Sequence, residues 1–289
     1  MRATASGFRT TLAGVAMAAL LGACATVPPS EGERIVEVGS SRAITRTQLI
    51  AAIRASDYTL LGELHDNGWH HRRRGELLAE LGPGVAIVAE HMPRGQQVQP
   101  GPDLQARLVA AGFDARAWRW PVHEPLFEGA IASGATLAGG NATPDQARQV
   151  VREGPQALPD ELRPIVTAAP LAPAAQAALD ADLVRGHCGQ LGGPRLDGMR
   201  SAQRLRDASM WAALRDAAKR PAILLAGNGH VRLDYGVPQV IAASQPAAKV
   251  VSVGFVEIGE PVRGQPYTHV WVTAAVPRED ACAAMRPAT

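Results

Sequence analysis

The sequence predicts an α/β fold in which a mostly parallel central sheet is flanked by helices and carries a helical insertion. Four short apolar segments, at residues 57–61, 85–91, 135–139 and 221–227, have the composition of buried strands. They alternate with segments of helical periodicity, and this alternation implies parallel strands joined by right-handed crossovers. Residues 145–220 are rich in Ala and Pro and carry no strand signals, so we expect them to form the helical insertion.

The N-terminal 23 residues have the parts of a bacterial lipoprotein signal peptide. Two arginines precede an apolar run at residues 12–21, which is shorter than the roughly 20 residues that a membrane-spanning helix needs. The run leads into Leu21-Gly22-Ala23-Cys24, which resembles a lipobox, so we expect Cys24 to be the acylated first residue of the mature chain. Acyl chains such as palmitate would anchor it, and Ala25 favours the outer membrane, facing the periplasm or the cell surface.

The mature chain is expected to begin with a tether at residues 24–40 and to continue as one domain at residues 41–289. Periodicity and turn residues divide this domain further. Besides the four strands, we expect a leading helix at 45–55, helices at 105–111 and 121–133, a long helix at 196–218, and strands at 249–256 and 267–273.

Charge and cysteine content limit the function classes. The formal net charge of +2 falls to 0 (2 − 2) when the leader is removed, because the leader contains two arginines and no acids. No basic block with interleaved aromatics is present, which argues against nucleic-acid binding. With Cys24 acylated, Cys188 and Cys282 remain as an even pair in an exported chain, so we expect a disulfide that ties the insertion to the C-terminal tail.

Polar residues follow each of the four predicted strands at the point where its apolar run ends. They are Glu63 and His65 after the first strand, Glu90 and His91 after the second, Asn141 after the third, and Asn228 and His230 after the fourth. The carboxyl ends of parallel strands meet at one edge of a sheet, where ligands bind in open α/β folds. The sequence therefore predicts a site at this edge.

The chemistry of this site is open between two alternatives. Glu63, His65, Glu90 and His230 supply two carboxylates and two imidazoles, which could bind a divalent metal. The same four groups could instead share protons as a metal-free acid/base set. Spacing alone does not decide between them.

Three other histidines lie close to the same edge. His70 and His71 come one turn after the first motif, where such a pair is either a solvated helix face or, in a haem protein, a pair of residues near the iron. His123 could line the same cleft or cap a helix. Side-chain chemistry alone leaves these alternatives open.

Motifs at both ends of the expected domain carry a family resemblance. They are Gly62-Glu63-Leu64-His65-Asp66-Asn67 with His70-His71, His187-Cys188-Gly189, Gly227-Asn-Gly-His230-Val-Arg232, Gly236-Val-Pro238, and Val270-Trp271 followed by Asp280-Ala-Cys282. With these motifs the sequence resembles the ChaN family, which are iron-regulated haem-binding lipoproteins of the haem-uptake and Tiki-like superfamily. The resemblance extends over most of the mature chain.

The resemblance implies an outer-membrane lipoprotein that binds haem and supports haem or iron acquisition, rather than an enzyme. The implied haem-binding residues are His65, His70, His71, His123 and His230. Expected partners are haem, the membrane through the lipid anchor, an outer-membrane haem receptor, and a second copy of the chain in a homodimer.

The wider superfamily implies an alternative function. Tiki-like metallopeptidases and erythromycin-esterase-like hydrolases use a similar turn, so Glu63, His65, Glu90 and His230 would be the catalytic residues if this chain were a hydrolase. The sequence also departs from the family pattern. His123 stands where the family resemblance leads us to expect Tyr, and Thr268-His269 stands where we expect Asp-Tyr.

Overall fold

The computed structural model describes Met1 and residues 30–283 of the 289-residue chain. Apart from Met1, the expected signal peptide lies outside the described residues, as do Cys24 and the first part of the expected tether. Over residues 30–283 the fold is α/β, with a mostly parallel sheet and flanking helices, as the sequence predicts.

The predicted strands and helices occur in the predicted order, and the structure adds two strands before the first predicted helix and one helix after the fourth predicted strand. The strands are β1 Arg34–Glu37, β2 Arg42–Ile44, β3 Tyr58–Leu61, β4 Ala86–Pro93, β5 Thr136–Asn141, β6 Ala222–Leu225, β7 Val250–Glu257 and β8 His269–Thr273. The helices are α1 Arg46–Arg54, α2 Gly68–Leu81, α3 Leu104–Ala110, α4 Glu124–Ala132, α5 Pro144–Glu153, α6 Arg163–Ala168, α7 Pro173–Gly186, α8 Gly193–Arg215 and α9 Val237–Ser244. Short 3₁₀ turns occupy Gly82–Gly84, Pro155–Ala157 and Asn228–Val231.

The described strands form one sheet in the order β2-β1-β8-β7-β3-β6-β4-β5. The six strands from β8 to β5 in this order pair in parallel. Only β1 runs antiparallel to its neighbours β2 and β8 within residues 30–283. A long helical segment separates β5 from β6 in the sequence. In the sheet, β6 lies between β3 and β4, so the ends of three strands from distant parts of the sequence are neighbours.

The structure corrects the N-terminal boundary of the domain. Residues 34–40 were expected to belong to the tether, but β1 extends the sheet, with Ile35 and Val36 buried against β8. The Glu33 carboxylate reinforces this contact by accepting hydrogen bonds from Trp271 Nε1 at 2.9 Å and Arg73 Nε at 2.8 Å. A four-residue strand has too short an apolar pattern to be recognised from sequence.

Two layers of helices cover the sheet. The apolar sides of α1, α2, α3 and α4 pack on one face, and α8 and α9 pack on the other. At the start of the expected insertion, α5 has an N-cap: the Thr143 hydroxyl accepts from the Gln146 N–H at 3.2 Å, and Pro144 is the first helical residue. The last helix of the insertion, α8, supplies Trp211 to the core beneath the sheet.

The predicted disulfide between Cys188 and Cys282 is present. It joins the end of α7 to the C-terminal tail across 94 residues of sequence. Arg278 holds the same tail to the start of α2, because its guanidinium pairs with Asp66 at 2.6 Å and with Glu257 at 2.6 Å. None of the helices within residues 30–283 is long and apolar enough to span a bilayer.

Helices α2 and α4 approach each other closely at two glycines. A Cβ atom at Gly75 would collide with the Pro125 carbonyl oxygen, and one at Gly129 would collide with the Gly75 backbone. The close crossing brings the N-terminal half of α2 against the start of α4. It therefore fixes the distance between the histidines that these two helices carry.

We expect Gly75→Ala to lower the free energy of unfolding by about 1–3 kcal/mol, the usual cost of overpacking. Alanine gains about 1 kcal/mol of helix propensity over glycine, but the colliding atoms are backbone and cannot rotate away. Chemical denaturation measures the change. Gly68→Ala is the matched control in the same helix, because a Cβ there meets nothing within 4 Å. Equal stability of the two variants would contradict the proposed role of the crossing.

Candidate functional site at the carboxyl edge of the sheet

The candidate site lies where three neighbouring strands end. Leu225 of β6 is the register partner of Leu61 in β3 and of Ala89 in β4. β3 and β6 therefore end at the level where β4 stops pairing with β6, so the residues after β3 and β6 and the last residues of β4 share one edge of the sheet.

The turn after β3 depends on Gly62. A Cβ atom there would lie 2.9 Å from Val231 Cγ2 and 3.1 Å from the Val253 carbonyl oxygen, so a larger residue does not fit. The Gly62 N–H also donates to the Val253 carbonyl at 2.8 Å. The chain is thus held against β7 as it turns, and Glu63 is directed into the protein.

Glu63 is the centre of the first group of side chains. Its carboxylate is fully buried, and its Oε1 atom lies 2.5 Å from His65 Nδ1, 3.3 Å from His91 Nε2 and 3.4 Å from His123 Nε2. Three imidazoles from three different segments of the chain therefore converge on one carboxylate oxygen.

The second oxygen of Glu63 is held by α2. Arg74 pairs with Glu63 Oε2, and His71 Nδ1 lies 3.2 Å from the same oxygen. Arg74 Nη1 also donates to the Leu61 carbonyl at 3.3 Å. Burial lowers the pKa of Arg74 to about 9, which still leaves the guanidinium charged at neutral pH. This ion pair supplies the partner that a buried carboxylate needs.

His70 and His71 are placed differently from what the sequence suggested. Both are 0% exposed, so they are neither a solvated helix face nor free to approach a ligand in the cleft. His70 Nδ1 accepts from the Leu64 N–H at 2.9 Å, and burial, helped by His71, lowers its pKa to about 3. Burial likewise lowers the pKa of His71 to about 4.

His123 also points into the protein and not into the cleft. It is 1% exposed, it precedes α4 without making a side-chain cap, and its ring lies 4.0 Å from that of His71. Burial lowers the pKa of His123, and the neighbouring His91 and His71 lower it further. The imidazoles around Glu63 on α2, β4 and the start of α4 are thus neutral at physiological pH.

Glu90 and His230 form a second, adjoining group. Glu90 Oε1 lies 3.4 Å from His230 Nε2, and Asp207 Oδ1 of α8 lies 2.6 Å from His230 Nδ1. Burial alone would lower the pKa of His230, but Glu90 and Asp207 outweigh it and raise the pKa to about 10. Burial would raise the pKa of Glu90, yet His230 and the Gly227 N–H hold it well below its ordinary value. His230 is therefore an imidazolium between two carboxylates.

The four residues predicted from sequence thus lie at one edge but in two groups. Glu63 contacts His65, whereas Glu90 contacts His230. Gly227 joins the groups: its N–H donates to Glu90 Oε2 at 2.7 Å, and a Cβ there would lie 2.9 Å from His65 Nε2.

The side chains of the two predicted asparagines form hydrogen bonds with main-chain groups at this edge of the sheet. Asn141 Nδ2 donates to the Glu90 carbonyl at 2.9 Å. Asn228 Nδ2 donates to the Phe255 carbonyl at 2.6 Å, and its Oδ1 accepts from the Phe255 N–H at 3.1 Å. Both residues position neighbouring segments of the site.

Three members of the site were not assigned a role from sequence. His91 follows Glu90 directly, and its adjacency to an acid at a strand end was the available signal. Asp207 lies on the predicted long helix, one turn after Gln203, which also contacts His230. Arg74 is one of many arginines in the chain and carries no signal of its own.

A cleft of about 250 Å³ opens beside these groups. Trp118 forms one wall, with its ring 5.1 Å from His65 and 4.3 Å from His91. Glu90 and Arg206 contribute polar atoms, and the other lining residues include Met92, Pro93, Ala142 and Pro144. The cleft therefore combines an apolar lining and an indole with one cation, Arg206, and two carboxylates, Glu90 and Asp114.

The sequence matches the model of one protein family over residues 49–241, two thirds of the chain. That family is described as haem-binding uptake, Tiki superfamily, ChaN. This chain belongs to the ChaN family.

One solved structure agrees with this family at the level of the fold. ChaN of Campylobacter jejuni, whose structure is described as cofacial heme binding, is 17% identical with a TM-score of 0.70; the match covers 86% of this chain and 100% of the C. jejuni protein. An erythromycin esterase mutant in its open conformation is 14% identical over 83% of this chain and 81% of its own, with a TM-score of only 0.39. No curated protein matches the chain.

We expect the contribution of His230 to stability to depend on pH. Because its pKa is raised from 6.5 to about 10, the imidazolium stabilises the folded state fully below pH 6.5, and this contribution is lost as the pH rises to about 10. The free energy of unfolding of the native protein, minus that of His230→Asn, should fall by a few kcal/mol, on the order of 1.4 kcal/mol per pKa unit.

Denaturant titrations across this pH range measure the difference. His187→Asn removes an exposed histidine instead and should leave the pH profile unchanged. A constant difference between the native protein and His230→Asn would contradict the imidazolium assignment. NMR titration of the His230 imidazole tests the same pKa in the native protein if the variant does not fold.

Proposed function

We propose that this chain binds haem at the carboxyl edge of the sheet, with His65 as the iron ligand, and that it serves haem or iron acquisition as a lipid-anchored protein of the outer membrane. Membership of the haem-binding uptake family supports haem as the ligand. The observation that carries the residue assignment is that His65 is half-exposed, with one ring nitrogen against a buried carboxylate and its ring 5.1 Å from Trp118 of the cleft wall.

His65 has the geometry of a metal-ligating histidine. Its side chain is 48% exposed, while its Nδ1 atom lies 2.5 Å from the buried Glu63 carboxylate. A carboxylate on one ring nitrogen fixes the ring and makes the other nitrogen a stronger ligand. Nε2 has no hydrogen-bond partner among residues 30–283, so it is free to bind an iron atom in the cleft.

The other candidate ligands are less accessible. Six of the eight histidines, including His230, are buried, and the remaining exposed one, His187, lies at the far end of α7 with its Nδ1 2.8 Å from the Leu183 carbonyl. Tyrosinate is an alternative haem ligand, but Tyr58, Tyr235 and Tyr267 are at most 6% exposed. A tyrosine of this chain could bind the iron only after a conformational change that exposes its buried side chain.

The residues near His65 have the chemistry needed to contact one edge of a haem group. Trp118 and the apolar lining of the cleft suit the macrocycle. Arg206 lines the same cleft and makes no ion pair within residues 30–283, so its guanidinium is available to a propionate. A cleft of about 250 Å³ covers only part of a haem and leaves much of it exposed. A second copy of the chain could cover the remainder, which would supply the expected homodimer.

The hydrolase alternative is less consistent with the geometry. A general base must have a nitrogen free to accept a proton. Both ring nitrogens of His230 face carboxylates, and its pKa of about 10 keeps it protonated at neutral pH. Glu63 is likewise occupied by Arg74. We therefore propose a binding protein rather than a hydrolase.

Haemin titration tests the proposed ligand. The native protein should shift the Soret band of haemin on binding, and His65→Ala should weaken binding at least about tenfold, because the imidazole bond to the iron is lost. His187→Ala, which removes the other exposed histidine, should bind as the native protein does. An unshifted Soret band with the native protein would refute haem binding. An unchanged spectrum and affinity in His65→Ala would refute only the choice of ligand.

Membrane fractionation tests the proposed anchor. Cys24 lies outside the described residues, so this part of the proposal depends on the lipobox of the sequence. One acyl chain binds a membrane only marginally, with an association constant on the order of 10⁴ per molar, whereas several chains anchor a protein stably. Cys24→Ser should therefore release the protein from the membrane fraction or leave the leader attached. Unchanged fractionation and mobility on a gel would contradict the anchor.

A further inference from the structure

The imidazoles around Glu63 have the arrangement of a metal site. This site lies on the Nδ1 side of the His65 ring, opposite the Nε2 atom proposed to bind haem iron. Glu63, His65, His91 and His123 each direct one ligand atom into the same space, and these four atoms all lie within 4.8 Å of one another. Glu63 and His65 follow β3, His91 lies in β4, and His123 precedes α4. Ligands from three separate segments are held in place by the sheet and by the crossing of α2 and α4.

The spacing of these atoms suits four-coordinate geometry. Ligands about 2.1 Å from an ion at tetrahedral angles lie about 3.4 Å from one another. Glu63 Oε1 lies 3.3 Å from His91 Nε2 and 3.4 Å from His123 Nε2. Only its distance of 2.5 Å to His65 Nδ1 is shorter, and this contact has to open by roughly 1 Å, which the half-exposed His65 side chain can accommodate.

Unpartnered nitrogen atoms provide an independent observation. Within residues 30–283, neither ring nitrogen of His91 has a hydrogen-bond partner, although its side chain is fully buried. Leaving a buried polar group without a partner costs about 1–3 kcal/mol. A buried histidine with two unsatisfied nitrogens therefore calls for a ligand that the protein atoms do not supply.

We propose that Glu63, His65, His91 and His123 bind one transition-metal dication, with Zn²⁺ or Co²⁺ as the best match. Three imidazoles and one carboxylate oxygen are donors that these ions prefer, whereas Mg²⁺ and Ca²⁺ require mostly oxygen ligands. This set differs from the metal ligands expected from sequence. Glu90 and His230 are excluded because they pair with each other, and His230 pairs with Asp207 as well.

The residues behind the ligands support this assignment. Arg74 holds Glu63 Oε2, so that Oε1 remains directed at the three imidazoles. Arg74 also offsets the charge of Glu63, so the ion would be bound largely through neutral imidazoles. This arrangement favours ions with a strong preference for nitrogen over those that depend on negative charge.

The metal site does not depend on haem binding. An ion at this position uses Nδ1 of His65 and leaves Nε2 facing the cleft. His123 lies inside the protein and is not one of the residues that line the cleft. A variant can therefore lose metal binding and keep haem binding, and this difference is measurable.

The test uses the purified, haem-free protein without a histidine tag, titrated with Co²⁺ and, in competition, with Zn²⁺. We expect one Co²⁺ per chain with the intense visible absorption of a tetrahedral site, and displacement of that absorption by Zn²⁺. His91→Asn and His123→Asn should each weaken Co²⁺ binding at least about tenfold. His187→Asn, which removes a histidine outside the group, should bind Co²⁺ as the native protein does.

Either of two results would overturn the proposal: no Co²⁺ or Zn²⁺ binding by the native protein at neutral pH, or equal binding by His91→Asn, His123→Asn and the native protein. The first result would mean that the imidazoles form only a polar core. X-ray absorption of the Zn²⁺-loaded native protein needs no variant and should show three imidazole ligands. Fewer than two would also overturn the proposal, even if the variants did not fold.

Discussion

The ion pair between Glu63 and Arg74 is the interaction on which the arrangement of the carboxyl edge depends. Both side chains are fully buried, and a buried carboxylate is tolerated only when a charged or hydrogen-bonding partner accompanies it. Arg74 belongs to α2, so this pairing requires α2 to dock against the end of β3. The close contact of α2 with α4 at Gly75 then brings His123 to the same carboxylate.

The two carboxylates of the edge are neutralised in different ways, and this divides the site. Glu63 is balanced by a guanidinium, and burial keeps the imidazoles around it neutral, with nitrogen lone pairs for a ligand. Glu90 is balanced by the imidazolium of His230, which Asp207 holds from its other side. The first group is therefore suited to ligation. The second ties α8 to the edge of the sheet by charge and has no free nitrogen for catalysis.

His65 lies at the boundary between these internal groups and the solvent. Its Nδ1 atom faces the buried Glu63, and its other nitrogen is beside Gly227. The proposed haem and the proposed metal ion would therefore approach different nitrogens of one ring. Because a ligand on one nitrogen changes the basicity of the other, the occupancy of the inner site would tune the strength of the outer ligand.

The sequence by itself determined the α/β class, the strands that carry Glu63, Glu90 and His230, and the pairing of Cys188 with Cys282. These features depend on local periodicity, on residues next to strand ends and on cysteine parity, all of which can be read along the chain. The tertiary structure alone decided the strand at 34–37, the burial of His70 and His71, and the partners Arg74, His91 and Asp207. Which groups become buried, and which charge each carboxylate meets, depends on how distant segments pack, and neither is encoded in any short stretch of sequence.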